Sequence, residues 1–244
     1  GHAETYSAAA ALALDVAGVA VIGLGYGSLR PTFTLDTAAT ASITVSAANV
    51  ALQNMIFVAN FADVATCFDV STATDFTVEY CEFRDTSASL NFINVIDTNA
   101  TNNAADGLYL CHNRILSLGT TAATTVIEVD ANITRLTVND NFYTGAVVNN
   151  TPALIEAATF DMLSLEVARN IVYRQNTDTA TGGWLLEGST TASTGMVYDN
   201  KGKTLDTAGI LIMTTGSTLG FTNNLVSGLA DASGFLIPAA DTDA

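Results

Sequence analysis

Leu136-Thr-Val-Asn-Asp-Asn141-Phe-Tyr143 is the stretch on which the fold turns, because variants of it run the length of the chain. Upstream stand Leu108-Tyr-Leu-Cys-His-Asn113-Arg-Ile115, Phe76-Thr-Val-Glu-Tyr-Cys81-Glu-Phe83 and Asn49-Val-Ala-Leu-Gln-Asn54-Met-Ile-Phe57. Downstream stand Leu165-Glu-Val-Ala-Arg-Asn170-Ile-Val172, Thr194-Gly-Met-Val-Tyr-Asp-Asn200-Lys-Gly202 and Leu219-Gly-Phe-Thr-Asn-Asn224-Leu-Val226. The copies align on Asn54, Cys81, Asn113, Asn141, Asn170, Asn200 and Asn224. Three positions earlier come Val78, Leu110, Val138, Val167, Val197 and Phe221, and two positions later Ile56, Phe83, Ile115, Tyr143, Val172 and Val226. A period of roughly 28 residues marks stacked repeats, none of which can bury its apolar face alone. Alternation of apolar and polar residues within each copy marks strands.

An Asn at one place in every repeat has a physical reason. If each repeat is one turn of a coil, successive side chains lie about 4.8 Å apart, the spacing of neighbouring strands. One amide NH2 then donates to the next amide C=O, and the buried polar groups satisfy one another down the stack. Asn also tolerates the left-handed backbone that turns a corner. On these motifs the chain resembles the right-handed parallel β-helix proteins, the pectin-lyase-like superfamily, whose coil reads apolar-x-apolar-x-polar-Asn-x-apolar. The resemblance covers nearly the whole sequence and implies an all-β, single-stranded right-handed parallel β-helix of about eight coils. Residues 1–244 then form one domain, entered in mid-coil, as a segment of a longer chain or a processed product would be.

Composition agrees with a solenoid. Charged residues make up 13% and AVILMFWYC 49% of the 244 residues, and the exposed-helix formers Lys, Arg and Glu are scarce. Twenty-four acids against 8 bases give a net charge of −16, which argues against nucleic acid and anionic membranes as partners. The most apolar stretch, residues 8–24, holds Asp15 and two glycines and reads as two strands, Leu12-Ala-Leu14 and Val19-Ala-Val21. It lacks the basic segment that opens a signal peptide. Cys67, Cys81 and Cys111 have no metal-binding spacing and read as small buried fillers, Cys81 at the ladder position. A Cys81–Cys111 disulfide would join side chains pointing in different directions. No cofactor is implied.

A second strand precedes each Asn: Ile43-Thr-Val45, Phe68-Asp-Val70, Ile93-Asn-Val95, Ile127-Glu-Val129, Ile155-Glu-Ala157, Leu186-Glu-Gly188 and Ile212-Met-Thr214. The longest gap to the Asn follows Val95 and contains residues 98–106, a polar loop of the kind that projects from one coil. The outward middle residues are Thr44, Asp69, Asn94, Glu128, Glu156, Glu187 and Met213. Glu128, Glu156 and Glu187 thus form a column of like charge, unfavourable when directly opposed. Four readings fit it: solvated side chains fanning apart, a partner surface, a cation site, or paired carboxylates for glycoside cleavage with Glu128, Glu156 and Glu187 as the catalytic residues.

Just before the ladder the outward residues are Tyr80, His112, Asp140, Arg169, Asp199 and Asn223. Alternating signs predict an Asp140–Arg169–Asp199 ladder, with Glu82–Arg114 a second pair one column over. Gly23-Leu-Gly25-Tyr-Gly27 precedes no helical pattern and reads as corner glycines rather than a phosphate loop. Family lyases carry a cluster of Asp ligands for Ca2+ and a strand-borne basic residue. No matching motif stands here, and Trp184 is the sole Trp on which a sugar could stack.

The Ala/Thr/Asn-rich coils and the Gly-Leu-Gly-Tyr-Gly-Ser-Leu-Arg-Pro31 stretch are similar in style to β-helix proteins of tailed bacteriophages. That resemblance implies a non-enzymatic virion component (head decoration, fibre or spike) working as a homotrimer beside other virion proteins. The alternatives are a tailspike-type polysaccharide depolymerase or lyase, and an adhesin for a host surface glycan. Pro238 and the acidic Asp241-Thr-Asp243 blunt the C-terminal strand edge, whereas nothing comparable blunts the edge near Ala3.

Overall fold

The structure, a computed structural model, describes residues 3–6, 12–98, 101–119, 124–145, 154–157, 159–174, 185–188, 192–203, 211–213 and 218–227. Among these residues three long parallel sheets, of nine, eight and eight strands, wrap one interior, and a two-stranded one pairs Ile133–Thr134 with Met162–Leu163. The chain visits the three long sheets in rotation, so strands adjacent in a sheet belong to successive coils. One coil runs Glu82–Asp85 in the first sheet, Phe92–Thr98 in the second and Tyr109–Cys111 in the third. The next runs Arg114–Ser117, Thr125–Val129 and Thr137–Asn139. This is a parallel stacked-coil solenoid, and the helical element among the described residues is the 3-10 turn Gly27–Leu29.

Two columns of left-handed residues make the corners that flank the third sheet. One contains Gly18, Asn49, Asp75, Gly107, Arg135 and Ser164, and the other Asn54, Tyr80, His112, Asp140, Arg169, Asp199 and Asn223. Each non-glycine among them has φ between 54° and 61°. Side chains other than Asn, Asp and Gly are held there at a cost of about 1–2 kcal/mol each. Corner amides offset that cost by bonding the next coil, as Tyr80 N–H does to Cys111 O (3.3 Å) and His112 N–H to Asn139 O (3.1 Å).

The ladder stands one residue past the second corner. Asn113, Asn141, Asn170 and Asn200 are buried, and each Nδ2 donates to the Oδ1 of the next Asn, ending on Asn224. The second Nδ2 hydrogen goes back one coil, to the carbonyls of Val78, Leu110, Val138, Val167 and Val197 in turn. Each Oδ1 also accepts the backbone N–H of the ladder residue before it, from Cys81 to Asn113 through to Asn200 to Asn224. Two donors and two acceptor sites are thus filled on every internal rung. Cys81 heads the column as its sequence position predicts, and its Sγ points at Leu52 O (3.8 Å), where an Asn amide would reach.

Asn54 does not belong to this ladder. Gln53 pairs with Glu79, so Met55 is in register with Cys81 and Asn54 with Tyr80. Asn54 sits at the corner with φ 58°, and its amide bonds Gly23 O (2.7 Å) and Gly25 O (3.1 Å). Gly23 is in register with Asn54, at the corner its sequence predicts. The left-handed residue is therefore the one before the ladder Asn.

Two second-sheet registers also differ from the sequence reading. Asp69 and Glu128 both pair with Asp97, not Asn94, and Glu187 pairs with Ile212, not Met213. The strand starting Ala20–Ile22 lies one residue beyond the expected Val19-Ala-Val21. The polar loop that follows the strand Phe92–Thr98 is tied down at Asn102 and Asp106 rather than projecting freely: Asn132 N–H donates to Asn102 Oδ1 (3.1 Å) and Thr134 N–H to Asp106 Oδ1 (2.8 Å). The same device continues, with Asp161 N–H on Asn132 Oδ1 and Ala192 N–H on Asp161 Oδ1.

A continuous core of buried side chains extends from Leu35 to Leu219. Its upper part is aromatic: Phe57 stacks on Phe83 with centroids 5.2 Å apart, and Phe68 meets both edge-on. Lower coils substitute Ile115, Tyr143 and Val172, with Tyr143 Oη donating to Thr124 O (3.0 Å). Cys67 and Cys81 are free thiols packed in this interior, whereas Cys111 is a buried free thiol outside it, beside Tyr109 on the outer face of the third sheet.

Candidate functional site

Two outward features could meet a partner or substrate. The first follows the second corner. Because the corner residue is left-handed, its side chain leaves the sheet surface and stacks over its equivalents. Tyr80 and His112 lie ring on ring, with centroids 4.8 Å apart and an interplanar angle of 20°. His112 Nε2 is 4.0 Å from Asp140 Oδ2, and Arg169 grips Asp140 through Nε and Nη2 at 2.9 and 2.8 Å. Arg169 Nη1 donates to Tyr198 Oη (3.4 Å), which donates to Glu166 Oε1 (2.7 Å); Asn139 Nδ2 donates to that same oxygen (2.9 Å). The Arg169 hydrogen bonds hold the Asp140 carboxyl below the usual carboxylate range, against a small desolvation effect.

Asp140–Arg169 is thus the predicted pair, but its continuation is Tyr198 and not Asp199. The Glu82–Arg114 pair does not form either. Glu82 is held by Arg30 (2.6 Å) and Arg84 (3.2 Å), and Arg114 lies 6.0 Å over the Phe142 ring. Phe142 in turn meets Tyr173 edge-on. Tyr80, His112, Asn113, Arg114, Asp140 and Phe142 line a shallow open recess. Charge in it is largely cancelled, so it offers ring edges and hydrogen bonds rather than an activated base.

The second feature is the carboxylate column, longer than its sequence suggests. Asp69, Asp97, Glu128, Glu156 and Glu187 stand in register on five successive strands, about 4.8 Å apart. The Glu187 side chain lies outside the described residues. Asn94, displaced from the column, donates its amide to Glu128 Oε2. Burial pushes the Asp97 carboxyl up to about 7, and Asp130, Glu128 and Asp69 push it the same way. Burial and Asp130 also raise Glu128, opposed by the Asn94 amide. Asp97 Oδ1 is sealed from solvent without a hydrogen-bond partner. An acid that keeps its proton near neutrality beside other carboxyl groups has the make-up of an acid–base pair, but a sealed oxygen cannot reach a substrate.

The sequence reading missed Asp97 because Ile93-Asn-Val95 mimics the repeat as well as Ile96-Asp-Thr98. The shorter gap to Asn113 was the available signal. It also missed Asp85, whose buried carboxylate accepts the Phe92 and Leu118 amides at 3.0 and 2.7 Å. Burial raises Asp85 above the ordinary range and those amides oppose it.

Among the described residues no group of three or more His, Cys, Asp or Glu is placed to hold a metal ion, and no helix is long and apolar enough to cross a membrane. Burial raises all three thiols, Cys81 to about 11, which leaves them poor nucleophiles. Trp184 and the C-terminal Pro238 and Asp241 lie outside the described residues. Comparison with protein-family models, curated proteins and solved structures finds no match.

Proposed function

We propose that this chain is a non-enzymatic structural component of a larger particle, of the kind bacteriophage virions use as head decoration, fibre or spike, and that it works as a homotrimer. One observation carries the reading. The first coil exposes Val16, Ile22, Leu24, Tyr26 and Leu29, with Leu24 and Tyr26 at 83% and 91% accessibility, while the coils beneath have a closed core. Large apolar side chains gathered at one end of a rod mark a contact surface. Cyclic assembly of identical chains is a common way to cover one. A stack whose buried Asn ladder is satisfied rung by rung suits a mechanically stiff component. Sedimentation velocity tests this: a single species larger than the monomer is expected between about pH 5 and 8, and a clean monomer throughout contradicts it.

The in-register Glu128–Glu156 pair favours a second reading, a polysaccharide depolymerase or glycan-binding adhesin. Glycan cleavage abolished by Glu128→Gln or Glu156→Gln would establish that reading in place of the first.

A further inference from the structure

We infer that the carboxylate column is a built-in proton store, in which the solenoid folds around a proton on Asp97 and is therefore firmer in mildly acidic than in mildly basic surroundings. The geometry comes from the register. Asp97 is flanked by Asp69 on the strand Val64–Val70 and by Glu128 on the strand Thr125–Val129, and Glu156 follows one coil further on. Asp130, just past the second of these strands, adds another acid. Every charge that acts on Asp97 is negative. Asp97 Oδ1 has neither water access nor a partner, an arrangement a neutral carboxylic acid tolerates and a carboxylate does not. The amide of Asn94, on the same strand, is committed to Glu128. Neither of Asp97's in-register neighbours can offer it a cation.

The direction of the effect follows from linkage. The folded carboxyl keeps its proton up to about 7, whereas an unfolded Asp releases it near its ordinary value. Folding takes up a proton between these limits, so the contribution is complete below the ordinary Asp range and is lost as pH rises through about 7. Glu128, also raised, acts in the same direction. Most folded proteins depend on paired carboxylates in the opposite sense.

Thermal unfolding of the whole chain at several pH values tests the inference. The wild type is expected to melt about 3–6 °C lower near pH 8.5 than near pH 5.5. Asp97→Asn should remove most of that difference by raising the melting point at the higher pH. Asp15→Asn, which removes one exposed acid away from the column, should leave it in place. A flat or opposite pH dependence of the wild type, or an unchanged slope in Asp97→Asn, overturns the inference. If Asp97→Asn does not fold, a carboxyl carbon NMR titration of the wild type decides. A midpoint near neutrality for Asp97 supports the proton store, and one in the ordinary Asp range overturns it.

Discussion

Asn170 Oδ1 receives two hydrogen bonds from Asn141, one from its side-chain amide at 3.1 Å and one from its backbone N–H at 3.0 Å. The pairing makes the ladder a structural part of each coil and not a decoration of it. Removing one amide leaves a backbone donor as well as a side chain unsatisfied.

Asn141→Leu should therefore destabilise the fold by at least about 2 kcal/mol, because it orphans the buried Asn113 N–H and the Asn113 amide together. Asn54→Gly should stay within about 1 kcal/mol, since Asn54 occupies a left-handed corner that glycine also accepts. Chemical denaturation of both variants checks the contrast. Equal losses would put Asn54 back in the ladder.

Gly195, inside the strand Thr194–Tyr198, and Ser164, at the corner before the strand Leu165–Ala168, have opposite requirements. A Cβ on Gly195 would lie 2.1 Å from Leu165 O, with φ at 142°, so Gly195→Ala should cost more than about 3 kcal/mol. Ser164 is exposed and left-handed at φ 57°, so Ser164→Asn should stabilise by about 0.5–1 kcal/mol. Melting temperatures moving in opposite directions check both assignments, the close strand approach at Gly195 and the strained corner at Ser164.

The ladder from Asn113 to Asn224 was legible in the sequence because four of its five copies have apolar residues on both flanks, the exception being Asn200 with Gly202 two positions later. Asn54 misled because a corner Asn and a ladder Asn look alike when they stand one residue apart; only the register of Gln53 with Glu79 separates them. Asp97 was hidden by a three-residue slip that keeps the same alternation. Partner choice on the surface was the least legible part. Arg30 reaches Glu82 from 52 positions away, and Arg169 turns to Tyr198 instead of Asp199, outcomes set by side-chain reach across coils. The exposed apolar side chains of the first coil could not be told from core residues by pattern alone.

Arg169→Met should cost less than about 1 kcal/mol near neutral pH, because the Asp140–Arg169 pair is largely solvent-exposed. Its clearer effect lies in acid. The Asp140 carboxyl is held low by Arg169, so its contribution is present above the unfolded Asp range and lost as pH falls through the folded value. Without Arg169 that contribution is absent, and the fold enters the acid range with less stability to lose. An acid-unfolding midpoint that moves upward checks the assignment, and one that stays put contradicts it.

The assembly claim meets its most direct test in the solution mass of the wild type beside a Leu24→Ser/Tyr26→Ser double variant, read by light scattering. Both side chains are almost wholly exposed in the single chain, so their replacement should leave the fold and its melting temperature intact. A trimer gives the wild type a mass three times the 25.3 kDa of one chain, falling to that of one chain in the double variant. A wild type that runs as a monomer, or a double variant that keeps the full mass, would contradict it.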